Sequence, residues 1–99
     1  MDIKEFYVIL QPISNCMTKK RIGTVIIGIE NREAAPSVNA IISKHSSIII
    51  GRLGLPRNEG ISLINLVVEG TTDEIGSLTG QLGKLEGIEV KSAVLKTSH

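Results

Sequence analysis

Apolar and polar positions divide residues 22–95 into strand-like and helix-like segments. The runs at 22–30, 48–54, 61–69 and 88–95 are rich in Ile, Leu and Val, as β-strands are. Residues 31–45 and 71–87 instead repeat apolar side chains every three or four positions, which is the helical period. The pattern therefore predicts the order β-α-β-β-α-β.

This order is that of the ferredoxin-like, or split βαβ, unit. It predicts an α+β fold in which both helices cover one face of an antiparallel four-stranded sheet. The last strand alternates clearly, with Ile88, Val90 and Val94 on one face and Glu89 and Lys91 on the other. We predict one domain over residues 21–97, preceded by an N-terminal extension at residues 1–20.

Capping residues mark the expected helix ends. Asn31 is suited to cap the first helix, and Pro36 at the first helical position would make that helix start later. Thr71 and Glu74 have the spacing of a capping box at the start of the second helix. Gly87 is expected to end it as its C-cap.

Residues 1–20 differ from the rest of the chain. A short apolar run, 6–10, ends at Gln11-Pro12 and is followed by polar residues. An edge strand, an appended helix and a flexible tail all fit, and Met17 offers an alternative start. Asp2 and Glu5 offset the charge of Lys4, so the segment does not resemble a signal peptide, and we expect a cytoplasmic protein.

Composition narrows the function classes. Cys16 is the single cysteine, which excludes an intrachain disulfide. Lys and Arg number 11 against 10 Asp and Glu, so the charge gives no sign of a nucleic-acid or membrane partner. Phe6 and Tyr7 are the only aromatic residues, whereas RNA recognition on this fold uses aromatic side chains on the central strands.

The first and third strands have apolar residues at both odd and even positions, and so on both faces. A strand in a sheet with one solvated face would instead alternate apolar and polar residues. In the ferredoxin-like order these two strands are central, and the helices cover only one of their faces. A large exposed apolar face marks an interaction surface. We therefore predict a homo-oligomer, either a dimer through isologous contact or a tetramer. The alternative is that residues 1–20 fold over that face.

Glycines form a stripe on the second helix: Gly76, Gly80, Gly83 and Gly87. Each costs up to about 1 kcal/mol relative to alanine inside a helix. Close approach of another subunit, backbone or ligand would explain that cost, and a loosely specified helix is the alternative. Close approach makes Gly76, Gly80 and the adjacent Ser77 candidate effector-binding residues.

Candidate chemistry is sparse. The histidines, His45 and His99, have no metal-ligand partners at a recognisable spacing, and no catalytic base and nucleophile pair up by spacing, so we predict no enzyme activity and no cofactor. Arg52 and Asn65 are polar residues within apolar strands and need partners, either across a subunit interface, in a ligand or in solvent. Asn31 and Arg32, in the turn after the first strand, are further candidates.

Three stretches carry a family resemblance: Gly51-Arg52-Leu53-Gly54-Leu55-Pro56, the run 61–68, and the glycine-spaced segment 73–83. With Val38-Asn39 and Val90-Lys91, they resemble the small regulators of iron-only hydrogenase systems. The resemblance covers about residues 22–96.

That resemblance implies an ACT-like fold, similar also to the C-terminal sensor domain of nickel-responsive regulators. Domains of this kind form dimers or tetramers and bind small effectors at subunit interfaces. We therefore expect a non-enzymatic, oligomeric regulatory module without direct nucleic-acid or membrane contact. A structural or adaptor protein with no ligand, or the sensor domain of a transcriptional regulator, are the alternatives. The expected effector-binding residues are Asn31, Arg32, Arg52, Asn65, Gly76, Ser77 and Gly80.

Overall fold

The computed structural model describes residues 20–57 and 59–98, so the predictions for Cys16 and for most of the N-terminal extension lie outside the described residues. Two short 3-10 turns flank the first helix, at Arg32–Ala34 and Ser46–Ile48. The regular elements are β1 (Arg21–Ile29), α1 (Ala35–Lys44), β2 (Ile49–Leu55), β3 (Ser62–Gly70), α2 (Thr72–Gly83) and β4 (Ile88–Ser98).

The four strands form one sheet in the order β2-β3-β1-β4. Every neighbouring pair is antiparallel, and the register places Val25 of β1 between Leu66 of β3 and Ser92 of β4. This confirms the predicted ferredoxin-like fold, with β1 and β3 in the centre. The register shifts once near each outer strand, between Ile49 and Gly51 along β2 and between Arg21 and Gly23 where β1 meets β4.

The core lies between the sheet and the two helices. Helix α1 contributes Val38 and Ile42, and α2 contributes Ile75, Leu78 and Leu82. Burying each such side chain stabilises the fold by about 1.5–3 kcal/mol. The core residues are all aliphatic: Val25, Ile27, Ile29, Val38, Ile42, Ile48, Ile64, Leu66, Val68, Ile75, Leu78 and Leu82.

The first helix begins and ends much as its capping residues predict. Asn31 caps the 3-10 turn through its side chain, which accepts a hydrogen bond from the Glu33 N–H at 3.0 Å. The α-helix proper starts later, at Ala35, with Pro36 in its first turn where a missing N–H costs nothing. His45 ends it, with Nδ1 2.8 Å from the Ile41 carbonyl oxygen.

The second helix starts as predicted but ends earlier. The Thr71 hydroxyl accepts from the Glu74 N–H, and Glu74 Oε1 accepts from the Thr71 N–H at 2.8 Å, so the capping box is confirmed. Gly87 is not the C-cap, because the helix ends at Gly83 and Lys84 takes that position. Gly87 instead lies in the turn before β4.

We call the sheet surface turned away from the helices the open face. Strand pairing gives its members, because paired residues of antiparallel strands point to the same side. Gly28 belongs to it, and a Cβ at Gly28 would lie 3.2 Å from the Ile61 side chain, which crosses over this glycine. The open face consists of Ile22, Thr24, Ile26, Gly28, Gly51, Leu53, Leu55, Ile61, Leu63, Asn65, Val67, Glu69, Glu89, Lys91 and Ala93.

No helix in residues 20–57 and 59–98 is long and apolar enough to cross a membrane.

Candidate functional site

A cleft of about 460 Å³ opens where the end of β1, the start of α1 and the β2–β3 hairpin meet. We call it the arginine cleft, because three guanidinium-bearing residues line it: Arg32, Arg52 and Arg57. The remaining lining residues are mainly apolar or small: Ile29, Ala35, Asn39, Gly54, Leu55, Pro56, Ser62, Leu63 and Ile64.

Hydrogen bonds to neighbouring elements hold the arginines around the cleft. Arg32 donates to the backbone carbonyl oxygen of Arg57 at 2.9 Å, which ties the turn after β1 to the hairpin loop. Arg52 donates to Asn39 Oδ1 at 2.9 Å, which ties β2 to α1. The backbone N–H of Arg57 donates to the Ser62 hydroxyl at 3.2 Å and so closes the hairpin loop. The three cations therefore come from three separate elements.

Of the predicted effector-binding residues, Arg32 and Arg52 lie together in this cleft. Asn31 sits beside it in a structural position, because its side chain caps the 3-10 turn. Its Cβ also packs against Gly87, where an added Cβ would lie only 2.6 Å away. The structure thus gives Asn31 a local role in holding the Arg32 turn.

Asn65 lies elsewhere, in the middle of the open face. Its Oδ1 accepts a hydrogen bond of 2.6 Å from the Thr24 hydroxyl, which also lies 3.2 Å from the Leu66 carbonyl oxygen. The register places Asn65 between Ile26 of β1 and Leu53 of β2. Its amide oxygen is therefore paired within an apolar surface.

The candidates on α2 lie on the helix side of the sheet and away from the arginine cleft. Ser77 contacts the end of α1, with its hydroxyl 3.1 Å from His45 Nε2, and accepts from Gln81 at 3.0 Å. Gly76 lines a second cleft of about 440 Å³ between α2 and β4. A Cβ added at Gly76 or Gly80 would meet no described atom within 4 Å, so nothing within the described chain requires glycine there.

Arg57 is the residue that sequence reasoning missed. It follows Pro56 in a stretch that predicts only a turn. The available signal was the hairpin itself: the loop after β2 must return to the start of β3, next to the turn after β1. That geometry brings Arg57 within reach of Arg32.

Outside the arginine cleft, the capping box at the start of α2 shifts the pKa of its glutamate. The Thr71 backbone N–H, followed by the Thr71 hydroxyl, lowers the pKa of Glu74 by hydrogen bonding to its carboxylate form. Among residues 20–57 and 59–98, no three His, Cys, Asp or Glu side chains come together in a way that could hold a metal ion.

Comparison with known families decides the family of the chain. The family model of TM1266-like proteins, described as iron-only hydrogenase system regulators, matches residues 21–92. The chain belongs to this TM1266-like family. The resemblance expected from the glycine-spaced motifs is thereby confirmed. No curated protein matches the sequence.

Solved structures agree with this assignment. The uncharacterized protein TM1266 from Thermotoga maritima is 34% identical, with a TM-score of 0.75 over 79% of this chain and 100% of that one. The fold also matches the ACT domain of GTP pyrophosphokinase from Chlorobium tepidum, with 23% identity, a TM-score of 0.61, and coverage of 77% and 99%.

A more distant likeness extends to a nitrogen regulatory PII-like protein, CPII from Thiomonas intermedia, in its apo form. It is 11% identical, with a TM-score of 0.50 over 81% of this chain and 94% of that one. Together with the ACT domain, this neighbour confirms that the TM1266-like chain has the ACT-like fold.

Proposed function

We propose that this TM1266-like protein is a non-enzymatic regulatory module that forms a homodimer through its open face and binds a small effector in the arginine cleft. The description of its family as regulators supports the role. The ACT-like fold supports the mode of action, because its structural neighbours include a domain of GTP pyrophosphokinase and a nitrogen regulatory protein.

The apolar character of the open face is the observation that carries the proposal. Ile26 is 46% exposed, Leu53 59%, Leu55 51% and Val67 39%, although all four lie on a regular sheet. Covering apolar surface is favourable by about 25 cal/mol per Å². A second copy of the chain can cover this face by isologous contact, which buries the same apolar patch on both subunits.

The size of the open face suits a dimer. β1 and β3 are nine residues long, and four strands stand side by side. Spacings of about 4.8 Å between strands and about 3.3 Å per residue give a face on the order of 19 by 30 Å. Because side chains project from the sheet, the accessible area of this face is larger than that of a flat rectangle and approaches the roughly 800 Å² per partner of a standard interface.

The charges on this face do not oppose self-association. Glu89 and Lys91 lie on the same edge of the open face, opposite Gly28 and Ile26 of β1. Glu69 is the other charged residue of this face and lies near the end of β3, paired with Ile22. The charges therefore lie away from the apolar centre, and the lysine of one copy can pair with a glutamate of the other. The Thr24 hydroxyl donates to Asn65 Oδ1, so this amide oxygen enters the interface already paired.

The arginine cleft borders the open face, and this gives the module a way to regulate. Leu55 and Leu63 belong to the open face and also line the cleft. A molecule bound there would touch side chains that the dimer covers. Binding and dimerisation would then be linked, so each would strengthen or weaken the other by the same factor.

The test of this proposal is the mass in solution of a matched pair of variants. Val67→Lys places a charge in the centre of the open face, and Val94→Lys places one on the helix side of the same sheet. The two valines are 39% and 41% exposed, so neither change buries a charge within one chain. Light scattering at several protein concentrations should give a dimer for the wild type and for Val94→Lys, and a monomer for Val67→Lys.

Circular dichroism of each variant controls for folding. A wild-type chain that stays monomeric at all concentrations would overturn the proposed assembly. A Val67→Lys variant that remains a dimer would show that the chain associates through another surface.

A further inference from the structure

Positive charge gathers around the arginine cleft. Arg32, Arg52 and Arg57 all line it, and none of its described lining residues is Asp or Glu. Arginine stays protonated across the whole physiological pH range. Like charges around one concavity raise the local concentration of anions there.

The arginines of the cleft carry N–H donors suited to oxygen ligands. Arg52 gives one bond to Asn39 Oδ1, which fixes its orientation, and a guanidinium has further N–H donors in the same plane. The Arg57 backbone carbonyl accepts from Arg32, which places the two residues side by side. Planar guanidinium donors match the geometry of carboxylate and phosphate oxygens.

Much of the remaining lining of the cleft is apolar. Ile29, Leu55, Leu63 and Ile64 line its wall. A volume of about 460 Å³ falls within the range of small-molecule pockets. The cleft therefore offers donors for an anionic group and an apolar surface for a body attached to it.

We propose that the effector of this protein is a small organic oxyanion, whose charged group binds Arg52 and Arg57 and whose apolar part rests on the apolar wall of the cleft. This inference rests on the proposed effector binding and narrows it to a chemical class. A phosphate ester and a carboxylate share the required chemistry, and the experiment separates them.

The experiment is an NMR titration of the full-length protein at constant ionic strength with three aromatic probes. Phenyl phosphate and benzoate carry the two kinds of oxyanion, and benzyl alcohol is the neutral control. We expect the anions to shift amide resonances of the hairpin and of the turn after β1, and benzyl alcohol to leave them in place. The tighter of the two anions identifies the class of oxyanion.

Matched variants assign the site. Arg52→Gln and Arg57→Gln should each weaken anion binding by about ten- to hundredfold, since each removes a charge-assisted hydrogen bond. Arg21→Gln is the control, because Arg21 lines the second cleft and donates to the Lys96 carbonyl oxygen. Its binding should equal that of the wild type.

Equal binding of benzyl alcohol, unchanged affinity in both cleft variants, or no response to either anion would overturn the inference. Light scattering on the same samples separates this failure from failure of the proposed assembly. A dimer that ignores the anions refutes the oxyanion class alone, whereas a monomer that binds them refutes the dimer alone.

Discussion

Gly87→Ala tests the tightest contact that the structure shows between the turn before β4 and the turn after β1. Gly87 has a φ of +78°, and an added Cβ would lie 2.6 Å from the Asn31 Cβ. Its carbonyl oxygen also accepts a 2.9 Å hydrogen bond from the Glu30 N–H. The substitution therefore disturbs both the backbone conformation and the packing against the cap of the first helix.

Gly60 provides the matched control, because it has a φ of +79° and no described atom within 4 Å of an added Cβ. For an L-residue the left-handed conformation costs about 1–2 kcal/mol, and Gly60→Ala should lose only that. Gly87→Ala should lose about 1–3 kcal/mol more, because overpacking forces neighbouring atoms to move. The total is about 2–5 kcal/mol.

Thermal and urea denaturation followed by circular dichroism measure the difference. For a domain of this size, 1 kcal/mol corresponds to about 4–8 °C in Tm. Gly87→Ala should therefore melt well below Gly60→Ala. Asn31→Gly removes the Cβ that the new methyl group meets, so adding it to Gly87→Ala should recover part of the loss. Equal stability of the two alanine variants would refute the close approach.

Three further changes test the helices and the core. Glu74→Gln removes a carboxylate whose pKa is lowered by Thr71. The stability that comes from this lowered pKa is present above the ordinary glutamate pKa and is lost as pH falls through the lowered pKa. The difference in unfolding free energy between wild type and variant, measured by urea denaturation, should therefore shrink from about pH 7 to about pH 3, and a constant difference would contradict this. Gly80→Ala should stabilise the chain by about 0.5–1 kcal/mol in the same assay, and a loss would reveal a partner against α2. Leu78→Ala, at a fully buried position, should cost about 2–5 kcal/mol, and a loss below 1 kcal/mol would contradict its place in the core.

The fold could be predicted because local signals agree with one another along the chain. The capping box of Thr71 and Glu74 fixes the start of α2, and the aliphatic runs mark each strand to within a residue or two, except at the C-terminal end of β4. The apolar residues at both parities of β1 follow from its central place, with Ile27 in the core and Ile26 on the open face.

The candidate site could be predicted only in part, because it depends on contacts between distant segments. Arg52 stands out in sequence as a polar residue in an apolar strand, but its partner Asn39 lies on α1. Arg57 carries no local signal beyond that of a turn. The predicted end of α2 was wrong for the same reason. The conformation of Gly87 allows its contact with Asn31 and does not end the helix.

The irregular outer strands, β2 and β4, also limit unwanted association between copies of this chain. β2 carries an extra residue, Ile50, at its register shift, and β4 shifts register near its far end. Such irregular edges interrupt the row of free backbone groups that a neighbouring strand would need to extend the sheet sideways. The chain is thus protected against open-ended, fibre-like growth at its edges, even though its open face is flat and apolar.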